Sequence, residues 1–277
     1  MSGLLINYNQ AAVNSYNNLD QTNSALTNIV GQLSSGLQIQ TAADNPAGYV
    51  MSQYLQQEAN GYTQAISNSQ DAVSLLQTAQ GALGQEASIL QTMNTLATQA
   101  ASGGTQSNTS LQASQAEFQS LQSQLDQIAA STNYAGRNLL DGSYSGQTFQ
   151  VGPIASSANQ IVISIATANS TALAVNASSV SIASAASAAS AMTAVQAAIT
   201  TVATYAANIG ATQNQLTALS ANLTTAQENI QSANANLVDV NVAQATTQFT
   251  QLQILEQGGV SVLSQAQQLP SLATKLL

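Results

Sequence analysis

Cysteine and histidine are both absent from this 277-residue chain, and so is tryptophan. Without a thiolate or an imidazole there is no Cys/His zinc site, no thiol nucleophile, no Ser-His triad and no general base of the commonest kind. Disulfides are excluded, which leaves the redox compartment open in either direction. Charge is nearly missing too: Asp, Glu, Lys and Arg make up 5% of the residues, against about a quarter in an ordinary globular domain. The only basic residues, Arg137 and Lys275, stand against eleven acids, for a net charge of −9. Such a chain cannot neutralise a run of phosphates, so binding to nucleic acid or to an anionic membrane is disfavoured. The acids are scattered, and no two lie three or four positions apart on any expected helix, which removes paired-carboxylate catalysis. No enzyme activity, metal or cofactor is expected.

Long apolar runs are lacking as well. From Gly142 to Gln227 there is no charged residue, yet Ala, Ser and Thr break the stretch before it reaches the roughly 18 apolar residues of a membrane span. The opening MSGLLINYNQ has neither a basic leader nor a long apolar core, so no secretory signal is expected. Aromatics are 4%. Any interior must therefore be built from Leu, Ile, Val and Ala, which suits closely packed helices.

What is present is a long 3-4 spacing of apolar residues. One seam runs Val195, Ala198, Val202, Tyr205, Ile209, Thr212, Leu216, Leu219, Leu223, Ala226, Ile230, Ala233, Leu237, Val240. At 1.5 Å per residue it predicts a helix on the order of 70 Å long, too long for a compact domain. After Val240 the phase slips, and Leu252, Leu255, Gly259, Val262, Ala266 and Leu269 start a separately phased helix. The N-terminus mirrors this with Leu5, Ala12, Tyr16, Leu19, Leu26, Val30 and Leu33, interrupted by Asn9 and Asn23. Those two asparagines either sit in the seam and set register, or face solvent; the pattern allows both. Between the arms, Leu76, Leu83 and Leu90 continue a stripe that stops at Gly103-Gly104, and Leu111, Phe118, Leu121, Leu125 and Ile128 form the next. Residues 132–143 read as irregular. The period then drops to two at Phe149 and Val151 and at Ile161, Ile163 and Ile165, which predicts a β-hairpin near 147–166. Residues 167–192 could be loop or helix.

The expected fold is mainly α, with long coiled-coil-like helices from both termini and a small hairpin in the middle. The expected divisions are an arm at 1–35, a linker at 36–57, a helical domain at 58–240 and a second arm at 241–277. Neither arm has a globular domain to pack on, so the two should pair with each other and with other copies of the chain.

The linker contains LSSGLQIQTAADNPAGYVMS (33–52), which crowds Gly36, Pro46 and Gly48 between two helical segments. This stretch resembles the N-terminal motif of bacterial flagellins. NSQDAVSLLQTAQGAL (68–83), LQTMNTLATQAASG (90–103), NYAGRNLLDG (133–142) and FTQLQILEQGGVSVLSQAQQLPSLATKLL (249–277) are similar to further blocks of that family, in the same order. The resemblance spans roughly residues 1–165 and 190–277. It implies a self-polymerising filament subunit, extracellular, exported through the flagellar type III apparatus without a cleaved signal peptide. It also implies an export chaperone, a filament cap and hook-junction proteins as partners. In the family the terminal helices form an inner layer, which here would use Leu5, Ala12, Tyr16, Leu19, Asn23, Leu26, Val30, Leu33, Leu252, Leu255, Val262, Ala266 and Leu269. A spoke would comprise Ser34, Ser35, Gly36, Asp44, Asn45, Pro46 and Gly48. Outer-layer packing would fall to Leu76, Leu83, Leu90, Leu96, Phe118, Leu121, Leu125, Leu216, Leu219, Leu223, Ile230 and Leu237. The short interval between hairpin and long helix implies a minimal form without outer domains. Gln38, Thr92, Asn94 and Thr95 are neutral where the family usually carries charge, which argues against recognition by the innate-immune receptor that reads part of that surface. A hook–filament junction protein, or a secreted coiled-coil adhesin or translocon component, remains the alternative.

Overall fold

The computed structural model describes residues 9–104 and 106–275. Helix α1 spans Gln10–Ser35 and starts at Asn9, whose Oδ1 accepts from the amide of Ala12 at 3.1 Å. It stops at Gly36, which takes the left-handed φ of +75° and donates its N–H to Gln32 O at 2.9 Å. Glycine adopts that conformation without the steric cost other residues meet. Helix α2 spans Pro46–Ala101, and its first residue is a proline, whose fixed φ and missing N–H suit the first turn. Helix α3 covers Asn108–Ser131, α4 Ala185–Val238 and α5 Val242–Lys275. Strands β1 (Asn133–Tyr134) and β2 (Arg137–Asn138) form one short antiparallel pair, and β3 (Gln147–Gln150) and β4 (Gln160–Ile163) another.

Two compact units result: residues 1–57 with 229–277, and residues 58–228. By compactness residues 229–240 go with the terminal helices, while the spacing places them in the helical domain at 58–240.

In the terminal unit, α1 and α5 run antiparallel. Asn9 Nδ2 donates to Ala266 O at 2.6 Å at one end, and the Val240 amide donates to Gly36 O at 2.9 Å at the other. Leu37 bridges to Asp239, and the Gln38 amide reaches Val238 O at 2.7 Å, so the linker adds a scrap of β-structure to the α4–α5 junction.

In the unit 58–228, the interior is made by the heptad stripes of α2, α3 and α4. Leu76, Leu83, Leu90, Met93, Phe118, Leu125, Val195, Val202 and Leu216 are all buried. Enclosing a leucine or phenylalanine contributes roughly 1.5–3 kcal/mol, which is what closes the helices on one another. The hairpin pairs Phe149 with Ile161 and Gln147 with Ile163, as the alternation predicts. It is tied to α2 by Asn68 Nδ2, which donates to Gln150 O at 2.9 Å. Residues 132–143, read as irregular, contain the β1–β2 pair. Ala135 and Gly136 at its turn have φ of +50° and +79°, the mirror-image geometry that matches strand twist.

The ambiguous stretch resolves as loop up to Ser184 and helix from Ala185. Ser184 and Ser187 cap α4 reciprocally, each accepting the other's amide at 3.1–3.2 Å. The loop is held by polar side chains of α3. Asp126 accepts from Ser170 N and Oγ at 2.9 and 3.0 Å, Gln122 donates to Val175 O at 2.7 Å, and Gln115 accepts from Ile182 N at 2.6 Å. Helix α4 is long and apolar enough to cross a membrane by length and composition, but its buried seam lines this core instead.

Candidate assembly interface

The residues that could make copies of the chain adhere are those the terminal unit leaves uncovered. On α1 the positions turned toward α5 are Ala12, Ser15, Leu19, Thr22, Leu26, Ile29 and Leu33, each half-buried or buried. On α5 they are Ala245, Phe249, Leu252, Glu256, Gly259, Leu263 and Ala266. Both sets keep alternating steps of three and four, the spacing of an interlocking helix pair. A Cβ on Gly259 would lie 3.2 Å from Leu19 Cδ1, so the backbones approach closely there.

The expected inner-layer seam therefore divides. Ala12, Leu19, Leu26, Leu33, Leu252 and Ala266 close the pair within one chain. Tyr16, Asn23, Val30, Leu255 and Val262 point outward instead, with Tyr16 61% and Val262 54% exposed. Ile254 and Val260 join them as exposed apolar residues of α5. Leu5 and the side chain of Leu269 lie outside the described residues. Of the two asparagines, Asn9 is part-buried and crosses to α5, whereas Asn23 is exposed. Beside the pair runs a groove of about 480 Å³, lined by Ser15, Asn18, Thr22, Leu255, Gly258 and Val262 among others. The missed seam members Ser15, Thr22 and Ile29 each precede a larger or equally plausible neighbour, Tyr16, Asn23 or Val30, and the pattern alone did not separate them.

The expected spoke residues gather at the α1–α2 junction. Ser34 and Ser35 are exposed in the last turn of α1, and Ser35 Oγ accepts from the Leu37 amide at 3.2 Å. Asp44 accepts from Gln40 N at 3.0 Å and Thr41 N at 2.8 Å, and its hydrogen bonds to Thr41 and Gln40 lower its pKa below the ordinary aspartate value. Asn45 Oδ1 caps α2 by accepting from Gly48 N at 2.9 Å, with Pro46 between them. Gly48 is buried, and a Cβ there would stand 2.6 Å from Ile39 Cδ1, itself a core residue of this unit.

Among the residues expected to pack the outer layer, Leu76, Leu83, Leu90, Leu96, Phe118, Leu125 and Leu216 belong to the core of the unit 58–228. Leu121 and Leu219 are half-buried against it, and Leu223 is buried further along α4. Ile230 and Leu237 differ: they are half-buried members of the terminal unit. A carboxylate also lies in the core, at a position that only the heptad spacing from Leu83 to Leu90 marks in the sequence. Glu86 is fully buried, and neither of its carboxyl oxygens has a hydrogen-bond partner. Among the described residues no cluster of three acids could hold a metal ion.

Comparison with known proteins gives the same outline. Residues 6–145 match the family model for the bacterial flagellin N-terminal helical region, and residues 192–277 that for the C-terminal helical region. A flagellin of Bacillus subtilis is 35% identical, with 98% of this chain and 99% of that protein aligned. One from Halalkalibacterium halodurans is 34% identical over 99% of this chain and 100% of its own length. The crystal structure of Bacillus cereus flagellin superposes with a TM-score of 0.50 at 28% identity, covering 57% of this chain and 88% of that one. With both terminal helical regions matched and relatives aligned from end to end, the chain belongs to the bacterial flagellin family.

Proposed function

We propose that the apolar side chains left uncovered on the terminal unit make the surfaces through which copies of this chain polymerise. As a flagellin, the chain is a structural subunit of the extracellular flagellar filament and not an enzyme. The junction-protein and adhesin alternatives are not favoured by relatives that match along nearly the whole chain. What is proposed is which residues do the work and how.

The observation that carries it is the division of the seam. Half of the heptad apolar residues satisfy one another across α1 and α5, while Tyr16, Val30, Ile254, Leu255 and Val262 stay exposed along the same two helices. Three of them, Ile254, Leu255 and Val262, line the groove beside the pair, and apolar side chains exposed together are costly in water and mark an interaction surface. A second copy covers it with a different face of its own, because the head-to-tail contact that builds a helical polymer joins two non-identical surfaces and repeats without closing. The groove beside Gly258 accepts a side chain from such a neighbour. The Asp44 turn and the Asn45-Pro46 cap act as the rigid joint between the paired helix α1 and helix α2.

Three finer elements belong to the same reading: an export chaperone for the unassembled chain, a cap at the growing filament end, and hook-junction proteins at its base. Export leaves the N-terminus uncleaved, which the intact mass of filament protein measures directly.

The assembly reading is tested with Leu255→Asp and Val262→Asp together. Purified subunits carrying both should stay monomeric in sedimentation at concentrations where the unsubstituted chain forms filaments. Circular dichroism should keep its helical signal from the unit 58–228. Filaments of normal length from the doubly substituted chain would overturn the proposal.

A further inference from the structure

Helix α2 packs into the core of the unit 58–228 through a heptad stripe that includes Leu76, Ala79, Leu83, Leu90, Met93 and Ala97. Glu86 occupies the stripe position between Leu83 and Leu90 and is as fully enclosed as they are. Both Oε1 and Oε2 lack any hydrogen-bond partner. An ionised carboxylate without a donor in an apolar seam is among the costliest groups a fold can contain, whereas the neutral acid is tolerable. We infer that Glu86 is a proton-operated lock on this unit: the seam closes on the neutral carboxylic acid, and loss of that one proton loosens α2 around residues 79–93.

The charged and titratable groups on the surrounding elements leave this to Glu86 alone. Helix α2 carries Glu58, Tyr62 and Asp71 within the unit, α3 carries Glu117 and Asp126, and α4 carries Tyr205 and Glu228. The connecting segment adds Tyr134, Arg137, Asp141 and Tyr144. Asp126 is engaged with Ser170, Asp141 with Ser143 and Asn138, and Arg137 lies over the Tyr144 ring at 5.0 Å. No charge among them acts on Glu86, whose pKa is pushed up to about 8 by burial alone.

The direction of the effect follows. A folded pKa above the unfolded value of 4.5 means that the folded chain keeps a proton the unfolded chain releases. The stabilising contribution is complete below about pH 4.5, declines as pH rises, and is gone above about pH 8. Across that window the folding constant drops by roughly three orders of magnitude. The unit thus tightens in mild acid and loosens in alkali, a polarity that carboxylates held by hydrogen bonds do not show.

Full-length subunit, kept below its polymerising concentration, tests this with Glu86→Gln and Glu86→Leu. Thermal unfolding of the unsubstituted chain should weaken steadily from pH 5 to pH 8 and level off beyond. Both variants should flatten that slope, and the Leu variant should be the more stable chain at pH 9. Carbon-13 labelling of the glutamate carboxyls should show one resonance titrating near pH 8 that is missing from both variants. Hydrogen exchange of peptides covering 79–93 should accelerate above pH 8 beyond the intrinsic rate in the unsubstituted chain alone. The inference is overturned if every glutamate titrates in the ordinary range, or if the pH slope survives in the Leu variant.

Discussion

At the residue scale, two glycines of α2 carry opposite expectations although both lie inside one helix. Helix propensity favours Ala over Gly by about 1 kcal/mol at an interior position. At Gly81 nothing lies within 4 Å of an added Cβ, so that gain is free to appear. At Gly61 the Cβ would meet Pro153 Cβ at 2.7 Å and Pro153 Cα at 3.1 Å. A proline ring and its backbone cannot rotate aside, and overpacking of this kind costs roughly 1–3 kcal/mol. Gly81→Ala should therefore raise the unfolding free energy of the subunit by about 1 kcal/mol. Gly61→Ala should lower it, with increased hydrogen exchange in the β3–β4 hairpin, whose connecting segment holds Pro153. Equal and positive shifts from both variants in thermal unfolding would contradict the close approach. Nothing in the sequence distinguishes these glycines, because the contact that does so is made by a residue far along the chain. Glu86 was unreadable for the same reason. Its place in the stripe is visible once Leu83 and Leu90 are aligned, but the lack of any partner is a property of the assembled core.

At the element scale, the helices themselves were legible because each carries a sustained period of 3.5. The α4 seam falls at the positions its spacing predicts, from Val195 through Leu216. The arms were legible only by half. Ala12, Leu19, Leu26 and Leu33 are common to the expected and observed faces, but the alternate position lies at Ser15, Thr22 and Ile29 instead of Tyr16, Asn23 and Val30. A hydrophobicity count prefers Tyr16 to Ser15. The helix pair prefers the smaller residue, since α1 and α5 approach closely where Gly259 meets Leu19. That choice makes a prediction about coupling. Gly259→Ala adds about 1 kcal/mol of helix propensity but crowds Leu19 Cδ1, so alone it should be close to neutral in filament melting. In a Leu19→Ala background the crowding disappears and the gain should emerge, giving an interaction energy of about 0.5–1 kcal/mol. In a Tyr16→Ala background the value should match the unsubstituted chain. If Tyr16 couples and Leu19 does not, the observed face of α1 is wrong.

At the scale of the whole molecule, the scarcity of charge sets how the filament answers to acid and salt. With two cationic side chains in 277 residues, ion pairs supply almost none of the cohesion. Helical hydroxyls are satisfied internally instead: Thr78, Thr95, Thr212 and Thr250, among others, donate to the carbonyl four residues back. The carboxylates that matter pull in two directions. Glu86, with its raised pKa, adds stability as pH falls from about 8 to 4.5. Asp44 and Asp141 have lowered pKa values, Asp44 chiefly from the Thr41 and Gln40 amides and Asp141 chiefly from the Ser143 hydroxyl. Their contribution is present above the ordinary aspartate value of 3.8 and is lost as pH falls through their lower folded values. Protonating all eleven acids takes the formal charge from −9 to the +2 of the Lys and Arg residues, passing through neutrality. Self-repulsion thus shrinks while the apolar seams are untouched. Filaments should keep their length and light scattering from pH 7 down to about pH 4, in low salt and in 1 M salt alike, because screening has few ion pairs to weaken. Loss of order should begin only below the ordinary aspartate value, first at the Asp44 turn joining α1 to α2 and at the Asp141 turn. Filaments that dissolve above pH 5, or that fall apart in high salt at neutral pH, would show that charge contacts between copies hold them, contrary to what two cations per chain allow.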